Sequence, residues 1–313
     1  MNNKDKIRKI IINEVAKLLD EDYESIQEIK LFANDILRLF AKENFKEIVR
    51  KEGLLHKANL VALTIEGVYQ KSDNKQKYVK LKDFVTNANV VVYVMKKGND
   101  NIKGHYSLIL SKEYNHTNYR DITIFYSENL EKNLQEKIKE YKDNNRELTP
   151  TDIYVTMYYE LVSTAIHELQ HAYDDYRSKG KSFNTKEFKA YMEKYAEKEE
   201  FADKKEEVIA AKEYLKLPHE VWARFSQAMD KTRFTSGDFV KDESGKYFMK
   251  LEMKSLKSVV NSFFYNFENW GTLLAPGDKL SRIQKRLINA VVQFWHKEQE
   301  RIVEENKNPQ YFN

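Results

Sequence analysis

The chain has no cysteine among its 313 residues. That absence removes several chemistries at once: a disulfide framework, a thiolate zinc site and a cysteine nucleophile are all excluded. Any bound metal must therefore use histidine nitrogens and carboxylate oxygens. Long apolar runs are also missing, and no stretch approaches the roughly 18 residues of a membrane span, so no membrane span is expected. The run Ile10 to Ile12 has charge on both sides and is too short for the apolar region of a secretory signal. The expectation is a cytoplasmic protein as encoded, with export by a non-classical route left open. An excess of one charge sign is lacking too, since 53 Lys and Arg against 49 Asp and Glu leave a net charge of +4. No nucleic-acid footprint follows from so mixed a surface. Internal repeats and low-complexity linkers are absent.

What is present is core material and a very polar exterior. A hydrophobic fraction of 41% with 20 Tyr and 17 Phe argues for a packed globular protein, while 33% charged residues argue for a strongly hydrated surface. Apolar residues recur at helical spacing through residues 4 to 20 and 24 to 51, with Gly53 as a stop. Basic residues there, such as Lys46, Arg50 and Lys51, read as a solvated helix face. Leu54 to Val68 is ambiguous between helix and strand. The texture changes near residue 78. Val90 to Met95, Tyr106 to Leu110 and Asp121 to Tyr126 are short β-branched and aromatic runs separated by Gly98, Asn99, Gly104 and Asn115 to Asn118, which predicts three or four strands. In the last run Ile122, Ile124 and Tyr126 alternate against Thr123, Phe125 and Ser127, and 121 to 127 is expected to be the edge strand.

Residues 128 to 144 read as a polar surface helix, and Glu147 to Thr151, with Pro150, as a break. Thr151 or Asp152 can then cap a long helix running to about Arg177. Helix is expected again over 185 to 216, and Pro218 suits the first turn of another. Residues 236 to 251 suggest a hairpin with Gly237 and Gly245 at turns, followed by helices over 252 to 267 and 278 to 305. The expected fold class is α+β, mostly helical: a helical region over 1 to 77, then a catalytic domain over 78 to 313 with a small mixed sheet and C-terminal helices, the boundary being soft.

One stretch carries chemistry. Leu161 to Tyr176 reads LVSTAIHELQHAYDDY, and His167, Glu168 and His171 stand in the order H-E-x-x-H. Residues four apart lie one above the other on a helix, so the two imidazoles can grip one metal ion, with Glu168 beside them to take a proton from a metal-bound water. Tyr158, Val162, Ala165, Leu169, Ala172 and Tyr176 form a continuous apolar stripe, and Glu160, Ser163, Thr164, His167, His171 and Asp174 fall on the opposite side. That is the pattern of a helix anchored by one face and lining a cleft with the other.

A catalytic zinc site usually takes three protein ligands and a water. The metzincin spacing fails, because Asp174 and Arg177 stand where that pattern needs Gly and His. A carboxylate from a following helix remains. Glu220 is the best placed, at the start of PHEVWARF, where Pro218 fixes the helix start and Val221, Trp222 and Phe225 can pack it. Glu199, Glu200, Glu213 and His219 are the alternatives.

HELQHAYDDY resembles the metal helix of the gluzincin zinc metallopeptidases, and is similar to both the lethal-factor and the thermolysin types within that family. The resemblance covers roughly residues 151 to 230 and is specific only in the motif. It implies a zincin-like fold and a zinc-dependent endopeptidase acting on a protein or peptide substrate, of a kind found in toxins, effectors and phage or mobile-element proteins. It implies Glu220 as third ligand, with Ala223 and Phe225 in the same apolar turn, and Tyr214 as the donor to the developing oxyanion. One departure is Arg224, which stands where thermolysin-like members carry an acid that orients a histidine. Asp174 or Asp175 could supply that bond instead, and His219 could assist at the transition state. The alternative reading is a non-catalytic interaction protein in which the zinc site survives as a structural staple.

Overall fold

The computed structural model describes residues 3–50, 62–96, 104–109, 119–180, 185–195, 204–241, 246–267, 270–273, 280–307 and 311–312. Expectations that fall on Lys51 to Val61, Gly98, Asn99, Leu110, Asn115 to Asn118, Glu199, Glu200 and Gly245 lie outside these residues. The fold is mostly helical α+β, and the chain divides into two compact units. One takes residues 24–201 and 217–226; the other takes 1–23, 202–216 and 227–313.

The first of these units is built on a four-stranded sheet. Its strands are β1 (Leu63–Thr64), β2 (Val90–Lys96), β3 (Gly104–Ile109) and β4 (Tyr119–Tyr126), in the order β1-β2-β4-β3. β2 and β4 run parallel, while β1 and β3 are antiparallel to their neighbours. The sheet thus draws strands from both sides of residue 78. Period-two alternation sorts the faces as expected: Val90, Val92 and Val94 on β2 and Ile122, Ile124 and Tyr126 on β4 are all buried. The edge differs from expectation. β4 is interior, and the strands at the two ends of the sheet are β1 and β3, because the later strand inserts between β2 and β3 instead of closing the order.

Against this sheet lies α5 (Pro150–Ser178), which packs on β4 and β3 and is joined by α4 (Glu128–Asp143). The start of α5 is fixed by a capping box two to three residues before the expected caps at Thr151 or Asp152. Thr149 is the N-cap, Pro150 occupies the first turn, and the Asp152 carboxylate accepts the Thr149 N–H at 2.9 Å. Thr151 and Asp152 are therefore inside the helix. Such a cap is worth roughly 0.5–2 kcal/mol. The helix ends at Lys179, whose left-handed backbone (φ 54°) turns the chain. The C-terminal part of α1 (Asn3–Arg50) supplies Ile29, Phe32, Ile36, Leu37 and Phe40 to the same core. Two of its buried acids are satisfied across the chain: Glu28 accepts the N–H groups of Lys80 and Leu81 at 2.8–3.0 Å, and Asp35 accepts from Tyr78, Ser72 and Asn74. Two short helices, α2 (Ile65–Lys71) and α3 (Lys82–Asn87), complete this side. After α5 comes α6 (Lys186–Tyr195).

The other unit contains α7 (Lys204–Tyr214) and a sheet of β5 (Thr235–Lys241), β6 (Tyr247–Met253) and β7 (Tyr311–Phe312). The hairpin expected over 236 to 251 is present, but Gly237 pairs with Leu251 inside it and does not make the turn. A Cβ there would stand 3.0 Å from Met249. α10 (Arg282–Lys307) packs on β6 and against α9 (Leu256–Asn266), and Trp295 Nε1 donates to the Lys254 carbonyl at 2.9 Å. The helix α8 (Pro218–Lys231) begins in the sheet-and-α5 unit and passes into this one after Ser226.

Candidate metal centre

The middle of α5 is buried almost all round. The apolar stripe faces the core as expected, but Ser163, Thr164, Glu168, Gln170 and His171 on the polar side are also buried, and His167 is nearly so. Two elements cover that side. The first is the start of β3, where a Cβ on Gly104 would meet Glu168 Oε1 at 2.5 Å, Thr164 Cγ2 at 2.6 Å and Glu168 Cγ at 2.8 Å. Only a glycine allows this approach. The second is the first two turns of α8, whose Val221, Ala223 and Phe225 are buried, as is Leu217 just before it. Pro218 sets its start, and Ser226 Oγ donates to Gln170 Oε1 at 2.8 Å, while Gln170 Nε2 donates to Asp174 at 2.8 Å. This chain of hydrogen bonds fixes α8 against the histidine face of α5.

That docking brings Glu220 to the two histidines. His167 Nε2 and His171 Nε2 are 3.1 Å apart, and Glu220 Oε2 lies 3.6 Å from the first and 3.3 Å from the second. Among the described residues these three form the group with metal-binding spacing. Ligand atoms about 2.0–2.2 Å from a tetrahedral zinc stand about 3.3–3.6 Å from one another, which is the size of this triangle. The donor set, two imidazoles and a carboxylate, is one that zinc accepts. Glu220 Oε2 is buried and accepts no hydrogen bond among the described residues, and neither is His167 Nδ1 bonded. The other carboxylate oxygen, Oε1, accepts Arg224 Nε at 2.7 Å.

The electrostatics follow from burial. Desolvation opposes the charge of Glu220, yet the two imidazoles outweigh it and hold the carboxyl far below its ordinary range. Glu168 has no such partner pair. Burial pushes its carboxyl up to about 7, with Glu220 adding to the rise and His167 and the Tyr106 N–H opposing it. A carboxyl near neutrality is suited to taking up and releasing a proton. Burial, with His171 nearby, lowers the His219 imidazole to about 4.

Of the expected site residues, His167, Glu168, His171 and Glu220 come together. His219 is buried with its ring 5.6 Å from His171 and 5.3 Å from Phe188, outside the ligand triangle. Tyr214 is the half-buried last residue of α7 and Glu213 precedes it, both in the other unit. Asp174 takes the Gln170 amide. Asp175, fully buried, accepts Tyr106 OH at 2.7 Å and Arg120 Nε at 3.0 Å. Gly104 and Tyr106 carry no site signal in the sequence, where Gly104 reads as a separator between strands at the head of a β-rich run.

No family model, curated protein or solved structure matches the chain.

Proposed function

We propose that the chain is a zinc-dependent endopeptidase whose metal is held by His167, His171 and Glu220, with Glu168 as general base. The observation that carries this reading is the triangle of 3.1, 3.3 and 3.6 Å formed by the three ligand atoms, with a buried carboxyl one residue along from the first of them. Bound zinc would polarise the scissile carbonyl and acidify a water. The protein's own groups do the rest. Glu168 accepts the water proton and passes it to the departing amine, and its position is fixed by Gly104 and by the Tyr106 N–H.

The substrate is proposed to be a peptide in extended form, paired along β3. This strand ends the sheet and lies beside Glu168, so main-chain bonds there would lay a peptide across the centre. A hydroxamate-capped peptide is expected to slow amide hydrogen exchange over residues 104 to 109. Unchanged exchange there at saturating inhibitor would remove β3 as the docking edge.

The first test is metal content. Purified protein should carry close to one zinc per chain, and chelation should lower the thermal midpoint by several degrees, restored by added zinc. A ligand at a hundred times its dissociation constant stabilises by about 2.7 kcal/mol. Protein that holds no stoichiometric zinc even after refolding with it would rule the reading out. A search for new N-termini in a cell lysate treated with the wild type then identifies the substrate. The depth of the site, with Glu220 2% and His171 4% exposed, favours a second reading, a structural zinc without turnover. That reading requires bound zinc and no cleavage of any substrate.

A further inference from the structure

We propose that Arg224 is the counter-ion that holds Glu220 in its ligating position before any metal arrives, so that the centre is already built in the metal-free chain. The inference rests on the metal-centre reading above. Glu220 is almost wholly buried, and a buried carboxylate without compensation is strongly disfavoured. The two imidazoles face its Oε2, at 3.6 and 3.3 Å, and leave Oε1 to another partner. A guanidinium is a permanent cation in proteins, and Arg224 brings one to this carboxylate. It lies one helical turn on, and its Nε meets Oε1 at 2.7 Å while its side chain is 17% exposed. The carboxylate is thereby divided, with Oε1 given to arginine and Oε2 turned to the two imidazoles.

This division assigns a different role from the acid that the gluzincin pattern places after its third ligand. An acid would orient a histidine; Arg224 orients the glutamate itself. A bound dication would take over the compensation of Glu220, so Arg224 contributes most to stability when no metal is present. By linkage, removing Arg224 should destabilise the metal-free chain more than the loaded one, and zinc should then rescue the variant by more than it helps the wild type.

The experiment compares thermal midpoints of the full chain in EDTA and in saturating zinc, for wild type, Arg224→Ala and Arg224→Lys. The zinc-induced rise is expected to be several degrees larger in Arg224→Ala than in wild type, with Arg224→Lys in between because its ammonium can still reach the carboxylate. If Arg224→Ala does not fold in EDTA, recovery of the folded state on refolding with zinc supports the same conclusion. Equal zinc shifts in all three proteins would overturn it, as would an Arg224→Ala chain that zinc cannot rescue at all. A wild type that gains nothing from zinc overturns the metal centre, and the role of Arg224 with it, whereas zinc-responsive wild type with an unaltered variant shift removes only the latter.

Discussion

Replacing Glu168 by Gln is expected to lower peptide cleavage by roughly a hundred- to ten-thousandfold, the usual worth of a positioned general base, while zinc stays bound. The substitution is chosen for what it leaves alone. Glutamine has the same shape, so it can occupy the narrow space between Gly104 and Thr164 and can still accept the Tyr106 N–H through its amide oxygen. It cannot accept a proton from water. None of the three proposed ligand atoms is touched, so zinc content by mass spectrometry should match wild type to within error. Full activity in this variant would remove Glu168 from the mechanism. A variant that has lost both zinc and cleavage would instead show Glu168 to be part of what holds the metal, contrary to the ligand set proposed here.

Much of the centre was legible because its determinants are local. The four-residue spacing of His167 and His171 is fixed by helix geometry, and the apolar stripe of α5 is a 3.6-residue period written in the chain. Glu220 was reachable because Pro218 marks a helix start two residues before it. What escaped depends on tertiary order. Alternation on Ile122, Ile124 and Tyr126 says that β4 has a buried face, and says nothing about whether neighbours flank it on both edges. Only the order β1-β2-β4-β3 makes β3 an end strand. The cap lies at Thr149 and not at Thr151 or Asp152 because all three have capping side chains, and the fit of Pro150 to the first turn decides among them.

The buried polar side of α5 illustrates the same limit. Ser163, Thr164 and His171 read as cleft-facing residues, yet all three are buried. Ser163 Oγ has no partner among the described residues, but most buried polar groups find one, and the neighbouring Gln170 bonds both Ser226 and Asp174. Those partners sit 56 and 4 residues away, and only the second could be anticipated from periodicity. Arg224 is similar. Its spacing to Glu220 is a plain helical i,i+4 pair, visible in the sequence, but its use follows from the burial of Glu220.

Gly104→Ala should separate the general base from the metal in the opposite way, by disturbing position without changing chemistry. Gly104 has no positive φ, so alanine meets no backbone penalty there, and the usual consequence of such a change would be a stabilisation of about 0.4–1 kcal/mol through the unfolded chain. The opposite sign is expected. The new Cβ would lie 2.5–2.8 Å from Glu168 and Thr164 atoms, and either β3 or the Glu168 side chain must give way. Such overpacking costs about 1–3 kcal/mol, and a displacement of the base by about 1 Å can cost a hundredfold in rate. Cleavage is therefore expected to fall at least tenfold and the thermal midpoint by a few degrees, with zinc content unchanged because the ligand triangle lies on the α8 side of the helix. Gly271→Ala, where the added Cβ would meet nothing within 4 Å, serves as the matched control and should leave both measurements where they were. If Gly104→Ala keeps wild-type turnover, β3 yields without moving Glu168, and the close approach of strand and helix is packing alone.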